Sequence, residues 1–103
     1  MNDNWTTICE LNGQRWLLGP EGPESMTWDD ATDWCESVGG VLPPREVLLI
    51  ASCLHTSQFT ARYYWSSSES NSNAWYQNVG KGTQYRANKF TPCLVRAVRS
   101  QAL

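Results

Sequence analysis

Residues 26–40 read Met26-Thr27-Trp28-Asp29-Asp30-Ala31-Thr32-Asp33-Trp34-Cys35-Glu36-Ser37-Val38-Gly39-Gly40. Ala31, Trp34, Cys35 and Val38 recur at i, i+3, i+4 and i+7, so they share one face of a helix, and Trp28 extends that stripe by a turn. Thr27 is a good N-cap, with Asp30 three residues on in a capping-box-like arrangement. Asp29 and Asp30 complement the helix dipole, and Gly39-Gly40 supplies the left-handed exit. A second helix is expected to open at Pro43-Pro44, where a proline can hold the first helical position. Val47, Ile50, Ala51 and Leu54 repeat the same spacing there. Upstream, residues 1–15 are polar with scattered Trp5, Ile8 and Leu11, and Trp16-Leu17-Leu18 reads as a strand ended by Gly19-Pro20 and Gly22-Pro23. Downstream, the stretch from Ser66 to Asn73 is polar and turn-rich. Ala74 to Val79 reads as a strand, Gly80-Lys81-Gly82 as a turn and Thr83 to Ala87 as the return strand. A last strand from Cys93 to Arg99 places Cys93, Val95 and Ala97 on one face and Leu94, Arg96 and Val98 on the other. A strand, two helices and then antiparallel strands make the chain α+β.

The length of 103 residues suits one domain over 1–103, and six tryptophans supply core-forming surface. A net charge of −2 gives no electrostatic reason to expect nucleic acid or an anionic membrane as partner. The longest apolar stretch, Val47 to Ala51, is too short for membrane insertion. Met1-Asn2-Asp3-Asn4-Trp5 has neither the basic start nor the apolar run of an export signal, so the expected location is the cytoplasm, unless the chain is cut from a longer precursor or rides on a larger particle. Cys9, Cys35, Cys53 and Cys93 could form two disulfides in an oxidising compartment or stay free thiols in a reducing one; the missing export signal favours thiols. Their spacing contains no C-x2-C pair, which argues against zinc, and no cofactor is expected.

Catalysis lacks its parts. Ser66, Ser67 and Ser68 would need a base, the only histidine is His55, and no glycine-framed nucleophile elbow is present. The serines are expected to satisfy backbone groups instead. Glu69-x-Asn71-x-Asn73 alternates oxygen ligands but offers a single carboxylate, too few for a tight calcium site, so a solvated loop is the expectation. Asp29, Asp30 and Asp33 read as capping and solvated residues.

Five pieces stand in order over residues 16–99: Met26-Thr27-Trp28-Asp29-Asp30-Ala31 with Trp34-Cys35; Gly39-Gly40 and Leu42-Pro43-Pro44-Arg45-Glu46-Val47; Tyr64-Trp65-Ser66-Ser67-Ser68-Glu69; Asn73-Ala74-Trp75-Tyr76; and Val95-Arg96-Ala97-Val98-Arg99. This resembles the C-terminal domain of the Lcl collagen-like adhesins, which also occurs in bacterial and phage proteins. More broadly it is similar to the C-type-lectin-like fold. The resemblance implies paired first and last strands, two helices flanking a small twisted antiparallel sheet, and loops between Trp65 and Ala74 on a binding surface. Family members often carry a cysteine where Ala97 stands, so a helix-to-strand disulfide would have to use Cys93 instead. The Glu-Pro-Asn or Gln-Pro-Asp and Trp-Asn-Asp motifs of calcium-dependent lectins are absent.

With periodicity, the family positions put Trp28, Trp34, Trp65 and Trp75 in the core, with Ala31, Val38, Val47, Ile50, Val95 and Val98 around them. The expected function is non-enzymatic binding by a phage- or prophage-encoded module that engages a host protein in the cytoplasm and inhibits or redirects it. The alternative is a virion tail domain that recognises a cell-surface glycan or receptor. Glu69, Asn71, Asn73, Tyr76, Gln77, Lys81, Gln84, Tyr85 and Arg86 are the expected binding residues, a mixture of adaptable polar groups and rigid tyrosines.

Overall fold

The computed structural model describes residues 5–103; residues 1–4, part of the stretch read above for an export signal, lie outside them. The first difference from the sequence reading is a strand ahead of Trp16. β1 (Thr6–Leu11) and β2 (Gln14–Glu21) form a hairpin. Asn12 and Gly13 turn it with φ of 53° and 77°. Positive φ at both central residues is what a two-residue turn requires when it matches strand twist, and Asn-Gly tolerates it. The polar composition of this hairpin hid it, because β1 is an edge strand whose one buried residue is Ile8.

The first helix, α1 (Trp28–Ser37), starts as expected: the Thr27 hydroxyl accepts from the Asp30 amide. It ends in a Schellman motif, with Gly40 N donating to Cys35 O and Gly39 N to Glu36 O, and with Gly39 at φ 83°. Gly40 is also where the backbone passes closest to the last strand. A Cβ there would lie 2.6 Å from Val98 O, and Val41 next to it pairs with Val98. The second helix, α2 (Arg45–Leu54), is preceded by Pro44 at the N-cap, one residue earlier than expected. Its buried face is rotated from the expected stripe. Val47, Leu48 and Ala51 are buried, whereas Leu54 is exposed. The rotation follows from what α2 touches, since it packs against both sheets: Val47 and Ala51 meet Ile8, Leu18 and Val98, while Leu48 meets Tyr64 and Leu94. Leu54, at the end of the last turn, reaches neither group.

Two three-stranded antiparallel sheets replace the single expected sheet. The first has the order β1-β2-β6, with β6 spanning Arg96–Ala102. The strand carrying Trp16 does pair with the last strand, although it is the second strand of the chain. The second sheet is a meander of β3 (Tyr63–Ser70), β4 (Asn73–Asn78) and β5 (Thr83–Asn88). The serine run expected to be a loop is therefore strand, and only Asn71-Ser72 turns, with Asn71 at φ 57°.

The register shows what those serines do. Trp65 pairs with Tyr76 but Glu69 with Ala74, so β3 carries two residues more than β4 between these points. Within this bulge the backbone finds other partners. Trp28 Nε1 donates to Ser66 O, Ser67 N donates to Pro43 O, and Ser66 Oγ donates to Trp75 O at 2.7 Å. Ser68 Oγ caps α2 by accepting from Arg45 N.

Of the four tryptophans placed in the core by sequence, only Trp65 is fully buried; Trp28, Trp34 and Trp75 are half-buried at its edge. Each presents one side to solvent or to a cation, which a large amphipathic ring tolerates. Trp65 packs among Ala31, Cys35, Leu42, Ala74, Cys93, Val95 and Ala97. Its Nε1 donates to Met26 O and its amide to Leu94 O.

Two predictions follow from this core. Trp65→Ala should lose about 3–5 kcal/mol of stability in denaturant unfolding. Trp65→Phe should lose less but still destabilise, because the indole bond to Met26 O is lost, leaving that carbonyl only the Cys93 amide, and the smaller ring underfills the site. Parent-like unfolding of the alanine variant would contradict the assignment. The second prediction concerns the thiols, all four of which are free. Burial pushes Cys35 and Cys93 up to about 12 from 9.0. In the unfolded chain they lose their protons first as pH rises, so their contribution is intact below pH 9 and declines as pH climbs toward 12. At pH 8 a thiol-specific reagent should label exposed Cys53 rapidly, and Cys35 and Cys93 only on unfolding.

Candidate binding face

Residues directly opposite on neighbouring strands point to the same side of a sheet. The β3-β4-β5 register therefore sorts the expected site residues onto two faces. Tyr76 stands opposite Tyr85, while Trp75 stands opposite Arg86 and Gln77 opposite Gln84. Tyr85 and Arg86, neighbours in sequence, thus belong to opposite faces and cannot serve one contact.

The tyrosine face is the more open one. Tyr63, Tyr76 and Tyr85 form a row across the three strands, with ring centroids 5.1 Å apart for Tyr63–Tyr76 and 6.3 Å for Tyr76–Tyr85. Tyr63 is 50% and Tyr85 57% exposed, while Tyr76 between them is partly covered and packs on the Trp65 cluster. The central ring is thus anchored and the outer rings are presented. Burial, with smaller contributions from Tyr63, Cys93 and Tyr85, pushes the Tyr76 hydroxyl above its ordinary pKa. Beside Tyr63 lies a depression of about 490 Å³ lined by Ala61, Arg62, Asn78, Gly80 and Lys81. Neither Arg62 nor Lys81 has an ion-pair partner among the described residues.

The opposite face is occupied by the protein itself. Arg45, at the start of α2, lies 3.5 Å above the Trp75 ring centre, and Arg86 is 5.6 Å from it. Gln84 locks Arg45 in place: its carbonyl accepts from Arg45 Nε at 2.9 Å and its amide donates to Arg45 O at 2.8 Å. Gln84 is therefore structural. Gln77 is a correction of a stronger kind. Placed opposite Tyr64 and Gln84, it is fully buried, and both atoms of its amide lack hydrogen-bond partners among the described residues. It cannot reach a ligand.

The remaining expected residues separate from the tyrosines. Glu69 pairs with Lys89, whose ammonium lies 4.3 Å from the Trp28 ring centre. Asn71 holds the β3–β4 turn, and Asn73 begins β4. The residues that the structure brings together on the open face are thus Tyr63, Tyr76 and Tyr85 with Arg62 and Lys81. Tyr63 and Arg62 stand out in the sequence with Tyr76, Tyr85, Arg86 and Lys89 as tyrosines and cations of the hot-spot type, but they are not among the nine expected site residues. The signal available for Tyr63 was alternation, since Tyr63 must face opposite to the buried Tyr64.

Gln77 gives a sharp test. A buried amide without partners costs about 1–3 kcal/mol, so Gln77→Met, which keeps volume and removes the polar atoms, should raise the melting temperature. A fall would mean that the amide is satisfied in solution.

Compared with known proteins, the chain matches no family model and no curated protein.

Proposed function

We propose that the chain is a C-type-lectin-like domain acting as a non-enzymatic binding module, phage- or prophage-encoded, that engages a host protein in the cytoplasm and inhibits or redirects it. The observation that carries the binding reading is the row Tyr63–Tyr76–Tyr85. Rigid tyrosines give large contact area with little side-chain entropy to lose, and they are enriched at binding hot spots. Arg62 and Lys81 at the rim favour a partner surface with acidic or carbonyl groups around an apolar centre. The C-type-lectin-like reading draws support from the pairing of the Trp16 strand with the last strand, the two intervening helices and the hairpin sheet that follows. A non-enzymatic role is supported by the state of the candidate nucleophiles: Ser66 is buried and bonded to Trp75 O, and burial raises the thiols of Cys35 and Cys93.

The test is comparative affinity capture from host lysate, followed by measured binding to the captured protein. Tyr63→Ala and Tyr85→Ala should keep the fold, since both rings are half-exposed, and should each weaken binding by about 1–2 kcal/mol. Arg86→Ala, on the other face, should bind like the parent. Equal binding by all three variants would remove the tyrosine face from consideration, and binding to intact cells in place of any lysate protein would favour the virion receptor reading.

A further inference from the structure

Sheet order puts β1 and β6 on the outside of one sheet and β3 and β5 on the outside of the other. Three of these edges are covered or distorted. Val41 bonds to Val98 of β6, Leu94 bonds to β3 at Tyr63 and Trp65, and β1 shifts register between Thr7 and Cys9. A bulge of that kind blunts an edge. β5 has none of these devices. Its six residues pair with β4 without a shift, it contains no proline, and its one charged side chain, Arg86, lies 5.6 Å from the Trp75 ring centre. The direction of its main-chain groups follows from its neighbours. The Leu94 amide donates to Tyr63 O and the Trp65 amide to Leu94 O, so Tyr63 and Trp65 turn their main-chain groups away from β4. Asn78 and Tyr76, opposite them, therefore face β5, in keeping with the bond from Gly82 N to Asn78 O. Thr83 and Tyr85 answer them, which leaves Gln84 and Arg86 with N–H and C=O pointing outward. These four groups meet no partner among the described residues.

We propose that β5 pairs antiparallel with β5 of a second copy of this chain, about a two-fold axis at Tyr85. The outward row is self-complementary in that register. Gln84 of each copy exchanges two hydrogen bonds with Arg86 of the other, which satisfies all four groups of each strand. Every residue from Thr83 to Ala87 then has an opposite number, and no two like charges face each other. An axis at Arg86 would oppose two guanidinium side chains, and an axis at Gln84 would run Arg86 against Gly82, whose φ of 72° ends the strand. On the open face Tyr85 meets Tyr85 as a non-hydrogen-bonded pair, the kind in which side chains lie closest. The row Tyr63–Tyr76–Tyr85 is thereby continued across the axis, and the 57% exposure of Tyr85 leaves its ring available for that contact. A foreign strand would satisfy the same main-chain groups, but a second copy also brings an aromatic ring directly opposite Tyr85. The pairing leaves the outer side of the row open, so it stands whether or not a host protein binds there.

Sedimentation equilibrium of the full chain should give a mass that rises with concentration to twice that of one chain. Arg86→Pro removes one outward N–H and leaves the β4–β5 bonds in place, a position where an edge strand accepts proline, and should sediment as a single chain. Tyr85→Cys tests the axis, in a Cys53→Ser background because Cys53 is exposed. Non-hydrogen-bonded partners lie about 4.5 Å apart at Cα, within disulfide reach, so oxidised glutathione should link two copies covalently. Asn88→Cys, which the axis places about 20 Å from its own copy, should not link. The crosslink is read even if Arg86→Pro fails to fold. A single-chain mass at every concentration up to about 1 mM would overturn the proposal. So would linking through Asn88→Cys in place of Tyr85→Cys, or a dimer that Arg86→Pro leaves unchanged. A monomer whose Arg86→Pro variant folds but no longer binds the captured host protein would assign the edge to a strand of that protein, and would likewise overturn pairing between copies.

Discussion

The segment Cys93–Val98 holds the two sheets in one body. Cys93 pairs with Met26, Leu94 lies parallel to Tyr64 of β3, and Val98 pairs with both Leu18 of β2 and Val41. Its side chains divide among all three core clusters: Cys93, Val95 and Ala97 surround Trp65, Val98 lies with Ile8 and Leu18, and Leu94 lies with Leu48 and Tyr64. A strand buried on both faces needs apolar residues without alternation, which is what this stretch has apart from Arg96. Arg96 has its own solution. Its guanidinium donates to Gly19 O and to Gln58 O and approaches Glu21, which in turn accepts from the Tyr64 hydroxyl. The one charge in the segment thus ties the end of β2 to the loop after α2, and half-burial is matched by hydrogen bonds at several atoms.

That anchoring leaves the β3-β4-β5 meander with two unlike faces. Near Trp65 and Ala74 its inner surface is closed by the 93–97 segment, but toward Tyr63 and Tyr85 no element covers it to the same degree. On the other side α2 lies close, and Arg45 fills the space over Trp75. The row of aromatic rings thus sits on a sheet already braced from behind, with little ordering left to lose if it is covered.

What the sequence made legible was what depends on local spacing. The Thr27 cap, the Ala31–Cys35 stripe and the Gly39-Gly40 exit are all properties of a few neighbouring residues, and the structure reproduces them. The β1 strand escaped because an edge strand with one buried side chain has little hydrophobic period to read. The Ser66–Ser68 run escaped because its composition is that of a loop; its strand conformation is set by Trp28 and Pro43, thirty-eight and twenty-four residues away in sequence. The expected site residues divide between two faces for a related reason. A period of two assigns residues to faces, but only pairing decides which face is covered, and α2 covers the one carrying Gln77 and Gln84. Taking Tyr76, Gln77, Tyr85 and Arg86 together mixed the two sides.

The net charge of −2 sums over an uneven distribution. Acidic residues concentrate on α1, where Asp29, Asp30, Asp33 and Glu36 stand without a basic neighbour in the last turn. Arg62 and Lys81, without ion-pair partners among the described residues, flank the depression beside the tyrosines. Two surfaces of opposite sign cancel in the sum while each keeps its own field over distances shorter than the screening length, about 8 Å at physiological salt. A partner is therefore selected by the patch it meets. The basic rim around the tyrosines and the acidic side of α1 therefore differ in the charge that they present.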